Sequence, residues 1–305
     1  MTSTTSENPS TAPLRVGLLG TGPWAARVHG PALAAHPGVT LTGVWGRRPE
    51  AAAELAKELG SQAYEEVDAL IADVDAIAVA LPPDIQAPLA VKAARAGRHL
   101  LLDKPVATTV ESARELADTA AGVASVVFFT LRFSAAAAPW IEEQAAVEGW
   151  FSGRADWIGS IYAPDNKSPY ADSPWRRERG ALWDVGPHAL SVLLPVLGDV
   201  TEVTALRGPL DTVHVLLRHA SGASSSTALS LTAPEKASGV TAEFRGAQGI
   251  AELPAVWGEG PVASYGTAID ALLEAVRTGV PHPCDVRLGL RVTEILAQAE
   301  QALTR

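Results

Sequence analysis

From Leu14 onward, short apolar runs alternate with Ala-rich segments that place their polar residues on one helical face. Runs of this length without internal polar alternation fit strands buried on both faces, and the amphipathic segments between them fit the helices that cover such a sheet. Strands are predicted near 14–20, 39–46, 75–81, 98–102 and 124–129, with a weaker one near 61–64. Helices are predicted near 24–35, 48–59, 65–72, 84–96 and 109–121. This is the βαβ rhythm of a parallel, doubly wound sheet of six strands. After Thr130 the texture changes. A helical run, SAAAAPWIEEQAA, leads into a Trp- and Pro-rich stretch and then a helix around Asp184. From Val200 to Pro254 the period drops to two, as in Val213, Val215 and Leu217, with turn signals such as HASGASS between the runs, which predicts an antiparallel sheet. Helices near 264–278 and 286–303 close the chain.

The 305 residues suit two domains that abut across a cleft. The division expected is a disordered tail over 1–12, a first domain over 13–129, and a second, α+β domain over 130–305 for substrate binding and oligomerisation. The polar opening MTSTTSENPSTAP has neither the basic nor the apolar region of a secretory leader, and the longest apolar stretch, ALSVLLPVL, falls short of the roughly 20 residues that cross a bilayer. Acidic side chains outnumber basic ones by 34 to 24, with no dense basic run, which argues against a nucleic-acid or anionic-membrane partner. The lone Cys284 forms no internal disulfide, as suits a reducing cytoplasm.

The first strand runs directly into Gly20-Thr21-Gly22-Pro23-Trp24-Ala25 and then a helix. In this setting Gly20 permits the tight turn, Gly22 lets backbone approach a pyrophosphate, and Ala25 allows close helix packing with the helix N-terminus facing the negative charge. Pro23 and Trp24 belong to the same turn. The expectation is a dinucleotide-binding Rossmann domain. At the end of the second strand an acidic residue would hold an adenosine ribose, but this sequence has Gly46 followed by Arg47 and Arg48. Two guanidinium forks suit a 2′-phosphate, so NADP is favoured, with NAD as the alternative. The arginines could instead stack on adenine and flank the next helix in solvent.

Two further features carry candidate chemistry. Asp103-Lys104-Pro105 falls at the carboxyl end of the fifth strand, where ligands of this fold bind; Lys104 there polarises a substrate oxygen or is simply solvated. Asp184 and His188 are four apart at the start of an apolar helix, with Pro187 confined to its first turn, so both can face one pocket. The alternative is an Asp cap followed by a buried structural histidine.

Taken in order, GTGPWA, the PPD segment at Pro82, AGRHLLLDKP ending at Pro105, SPWRRE around Trp175 and WDVGPHAL around His188 resemble the Gfo/Idh/MocA family of oxidoreductases over nearly the whole chain. The resemblance implies that His188 is the general base on a substrate hydroxyl, that Lys104 hydrogen-bonds that oxygen, and that Asp184 orients the pair. It also implies that Trp175 and Arg176 lie near the cofactor and that Leu81 and Pro82 border the nicotinamide ribose. Asp103, in place of the usual Glu, is grouped with the cofactor-binding residues. Gln86 stands where many members carry His, Ser191 where many carry Asp, and only Gly180 remains of three glycines before the Asp motif. The implied activity is hydride transfer between nicotinamide and a sugar, polyol or related hydroxy or keto compound. The alternatives are a dinucleotide-binding regulator without turnover and a nicotinamide-dependent glycosidase. The resemblance implies a homodimer or homotetramer paired through the open face of the second sheet. The scattered histidines suggest no metal site.

Overall fold

In the computed structural model, residues 12–254 and 260–304 are described; the expected tail over 1–12 lies outside them except for Ala12. The first sheet contains β1 (Leu14–Leu19), β2 (Val39–Trp45), β3 (Gln62–Tyr64), β4 (Ala76–Val79), β5 (His99–Asp103) and β6 (Ser125–Phe128) in the order β3-β2-β1-β4-β5-β6. Every pairing is parallel. Helices cover both faces of the sheet, so the central strand β4 is wholly apolar and buried, and the edge strand β6, which opens on the polar Ser125, is also buried at all four residues. Strand order reverses between β1 and β4, opening a crevice at the carboxyl edge of the sheet.

The covering helices are α1 (Gly30–Ala35), α2 (Pro49–Glu58), α3 (Val67–Asp73), α4 (Pro83–Arg95) and α5 (Val110–Thr119). Proline opens α2 and α4, where its missing N–H has no partner to lose, and Thr109 caps α5 by accepting from Ser112 N. The expected helix over 24–35 differs in detail: Ala25–His29 winds as a π-helix before α1 begins.

The second sheet contains β7 (Trp150–Ile158), β8 (Val200–Arg207), β9 (Val213–His219), β10 (Ser224–Ser230), β11 (Gly239–Gly246) and β12 (Gly249–Glu252), in the order β12-β11-β7-β10-β9-β8. Only β7 and β10 run parallel. β7 occupies the stretch read as merely Trp- and Pro-rich. Its alternation is broken because Asp156 is buried while accepting from Ala228 N at 2.8 Å. Helix α6 (Ala137–Ala145) leads into this sheet, and α7 (Pro174–Asp184) and α8 (Gly186–Leu197) follow β7; α8 packs on β7. The opposite face is open, with Leu206, Leu216 and Ile250 exposed.

Helices α9 (Pro261–Thr278) and α10 (Val286–Ala302) do not stay with the second sheet. α9 packs on β5, β6 and α1, and α10 on α5 as well as on β8 and α8. A cut at residue 130 therefore separates α9 from the layer it covers. Pro174–Leu197, the one stretch among the described residues apolar and long enough to cross a membrane, has 78% of its 18-residue apolar window buried within the protein and turns sharply at Gly180 (φ 67°).

Candidate active site

The glycine turn follows β1. Gly20 adopts φ 130°, and a Cβ there would lie 2.4 Å from the Ala80 carbonyl oxygen, so the fold itself requires glycine. Gly22 differs: a Cβ there would meet no protein atom within 4 Å. Neither packing nor a left-handed backbone accounts for glycine at this position, whereas backbone approach by a ligand phosphate does. Ala25 is fully buried, Trp24 is half-buried and Pro23 is exposed. Leu81 and Pro82 follow β4 on the same edge, where Pro82 O accepts from Gln86 N at 2.8 Å. Arg47 and Arg48 follow β2 and are exposed, and their side chains have no hydrogen bond or ion pair with the described residues. The residues present therefore fit a dinucleotide lying along this crevice.

Lys104 is presented by the turn after β5, whose Lys104–Pro105 peptide is cis. The buried Gln86 side chain clamps this turn. Its Nε2 donates to Asp103 O at 2.8 Å and Pro105 O at 3.1 Å, and its Oε1 accepts from Asp103 N at 2.9 Å. Asp103 Oδ1 accepts from Lys104 N at 2.7 Å. Gln86, noted in the sequence only as a departure, thus braces the turn that carries Lys104; an internal amide in α4 gave no signal of which backbone it would meet.

Asp184 does not share a helix with His188. It ends α7, Val185 forms the junction, and His188 sits in the first turn of α8. Helix spacing still carries over, because His188 N donates to Val185 O at 3.1 Å and continues the winding. Lys104 Nζ donates to Asp184 Oδ1 at 3.0 Å and to its carbonyl oxygen at 2.5 Å, while Arg176 Nε donates to Asp184 Oδ2 at 3.1 Å. Burial alone would raise the Asp184 carboxyl; Lys104 and Arg176 overcome it and hold the group at about 2. No hydrogen bond joins Asp184 to His188 among the described residues. Instead the imidazole stacks on Trp157 at 4.2 Å and 17°, with Nδ1 buried and unpartnered. Burial, then the Lys104 ammonium, push its pKa well below the ordinary histidine value, against the weaker pull of Asp184. The ring is neutral at pH 7 and able to take a proton.

A cavity of about 310 Å³ gathers Trp24, Asp103, Lys104, Arg176, Asp184 and His188 on its walls. The predicted residues Gly20, Gly22, Pro23, Ala25, Leu81 and Pro82 lie outside it on the crevice, and Arg47 and Arg48 at the far end of β2. Trp175 does not line it; its ring lies 5.0 Å beneath the Arg176 guanidinium. Several wall residues escaped the sequence reading, two of them aromatic. Trp157 rides on the unrecognised β7, and Tyr170, from the loop after β7, packs edge-on to Trp24 at 5.8 Å.

A parallel sheet with a glycine turn at its switch point, facing a lysine, a carboxylate and a neutral histidine, defines a dinucleotide-linked oxidoreductase architecture. Residues 14–130 match the oxidoreductase family with an NAD-binding Rossmann fold, GFO_IDH_MocA, and residues 152–252 match the GFO/IDH/MocA C-terminal domain. The chain belongs to the Gfo/Idh/MocA family. It is 38% identical over 109 residues to a dTDP-3,4-didehydro-2,6-dideoxy-alpha-D-glucose 3-reductase of Streptomyces violaceoruber, over 35% of this chain and 32% of that protein. It is 26% identical over 287 residues to levoglucosan dehydrogenase of Pseudarthrobacter phenanthrenivorans, over 77% of this chain and 72% of that protein. The chain thus spans about a third of the length of the dTDP-sugar reductases it matches. Among solved structures, GenD2 from gentamicin A biosynthesis, in complex with NAD, superposes with TM-score 0.83 at 25% identity, over 99% of this chain and 97% of that one.

Proposed function

We propose that this protein transfers hydride between a nicotinamide dinucleotide and a sugar, polyol or related hydroxy or keto compound. The observation that carries the reading is the meeting of Lys104, from the first sheet, and His188, from the second domain, on one cavity beside the dinucleotide crevice. The bound dinucleotide supplies the hydride acceptor or donor. His188, kept neutral by burial, accepts the substrate hydroxyl proton in oxidation and returns it in reduction. Lys104 donates a hydrogen bond to the same oxygen and stabilises its developing negative charge. Asp184 fixes Lys104 through two hydrogen bonds; its role is to aim the amine rather than the imidazole. The unpaired Arg47 and Arg48 favour NADP, through the adenosine 2′-phosphate, over the NAD found with GenD2.

The open face of the second sheet presents Leu206, Leu216 and Ile250 to a second copy of the chain, giving a homodimer or homotetramer. The buried, unpaired Cys284 suits a cytoplasmic setting. The test is absorbance at the nicotinamide band with a panel of sugars, polyols and keto sugars. Turnover is expected, and His188→Ala should reduce it by roughly 10²- to 10⁴-fold while leaving cofactor affinity unchanged. A panel giving no turnover with either cofactor refutes the reading.

A further inference from the structure

The catalytic cavity does not end at Arg176. Ile161 and Arg176 also line a second cavity of about 530 Å³, bounded on its other sides by Tyr162, Asn166, Arg177 and Asp211. Arg176 is therefore a shared wall. Its Nε is committed to Asp184, while its guanidinium lies 5.0 Å from the Trp175 ring and 5.7 Å from the Tyr170 ring. Beyond it, the Arg177 guanidinium sits 5.4 Å over the Tyr162 ring, and the Tyr162 hydroxyl is buried with no hydrogen-bond partner among the described residues.

Charge decides which class of ligand fits. Across both cavities the described walls carry Lys104, Arg176 and Arg177 against Asp103, Asp184 and Asp211, three cations and three carboxylates, with His188 neutral. Asp211 is further engaged by Leu231 N, Ser230 Oγ and Thr232 Oγ1. The cleft has no surplus of cations with which to hold a pyrophosphate, whereas the Tyr162 ring, the Asn166 carbonyl oxygen, whose Nδ2 donates to Ser160 Oγ at 3.2 Å, and the terminal N–H groups of Arg177, whose Nε donates to Ala171 O at 2.9 Å, suit a neutral hydroxylated ring.

We infer that the second cavity is a subsite for a neutral glycosyl group, so that the substrate is a glycoside whose reacting ring lies beside His188 and whose attached ring lies between Tyr162, Asn166 and Arg177. This rests on the hydride-transfer reading of the neighbouring site. It sets the chain apart from relatives whose names specify nucleotide-activated sugars, such as the dTDP-sugar reductase and UDP-N-acetylglucosamine 3-dehydrogenase.

The test titrates the NADPH-loaded protein, by tryptophan fluorescence and calorimetry, with three ligands that share an α-D-glucosyl ring: methyl α-D-glucopyranoside, maltose and UDP-α-D-glucose. A galactosyl series of methyl α-D-galactopyranoside, melibiose and UDP-α-D-galactose is run alongside. Oxidation of each is followed with NADP. In at least one series the disaccharide should bind about tenfold more tightly than the methyl glycoside, and the nucleotide sugar no more tightly. Asn166→Ala and Arg177→Ala, each checked by thermal melting, should remove the disaccharide advantage and leave the methyl glycoside unchanged. A nucleotide sugar that binds more tightly than the disaccharide, equal binding of all three, or equal losses for both neutral ligands overturns the subsite. Disaccharide preference without oxidation keeps the subsite and defeats the hydride-transfer reading; oxidation without preference does the reverse. Binding of none of the six ligands defeats the subsite.

Discussion

Asp184→Asn tests how far the site depends on one carboxylate. The side chain is 4% exposed, and its partners are Lys104 at 3.0 Å and Arg176 at 3.1 Å. The folded carboxyl is held at about 2 against an ordinary 3.8, a shift of about two pH units. At about 1.4 kcal/mol per unit, that shift contributes about 2–3 kcal/mol of stability. The sign follows from the direction: because the folded value is depressed, the contribution is complete above pH ~4 and is lost as the pH falls towards 2. The amide keeps the shape but strands two cations, which adds a penalty. Breaking a fully buried pair costs about 3–5 kcal/mol; Lys104 and Arg176 retain 10% and 21% side-chain exposure, so about 3 kcal/mol is expected. Melting followed by circular dichroism at pH 7 should fall by about 5 °C. The variant should also lack the part of the wild-type stability loss that occurs between pH 4 and 2. Asp75→Asn serves as the control: its partner Arg15 is half exposed, and breaking that pair should move the melting point little. If Asp184→Asn melts with the wild type, the ion-pair account of the site is wrong.

Gly22→Val should leave folding intact, because its side chain meets open space, and should abolish dinucleotide binding measured by fluorescence titration; Gly20→Ala should instead lower the melting point, since its Cβ meets the Ala80 carbonyl. Replacing Arg47 and Arg48 together by Ser should weaken NADP binding at least tenfold more than NAD binding, and equal loss would remove the 2′-phosphate assignment. Because His188 is depressed well below its ordinary pKa, kcat/KM for oxidation should stay flat from pH 8 to 6 and fall only under more acidic conditions; an inflection near 6.5 would mean that the base is solvated. Leu216→Glu on the open sheet face should reduce the sedimentation size of any oligomer without changing the melting point of the monomer.

The first sheet was legible because strands covered on both faces leave unbroken apolar runs, and proline and glycine mark where each helix starts and stops. The glycine turn and Lys104 followed from their place at strand ends. β7 was not legible: Gly153 and the buried Asp156 erase its alternation, and with the strand went Trp157, the platform under His188. Asp184 and His188, four apart in sequence, line one cavity. Their spacing did not reveal that the carboxylate serves Lys104 and Arg176: the Lys104 pairing arises only where the two domains meet, and the Arg176 pairing joins residues eight apart across the sharp turn at Gly180. Tyr170 belongs to a loop without periodicity, and its approach to Trp24 is wholly tertiary.

The return of α9 to the first sheet has a consequence for dissection of the molecule. Tyr265, Ala268, Ile269 and Leu272 are buried on that helix, and Tyr265 stacks on His29 at 4.0 Å. A fragment ending at residue 130 would bare the apolar ground these side chains cover, so the amino-terminal half, despite its complete sheet, should be recovered as aggregate when expressed alone. Supplying residues 260–304 as a separate peptide should restore part of its solubility, since the two ends of the chain together build one folding unit.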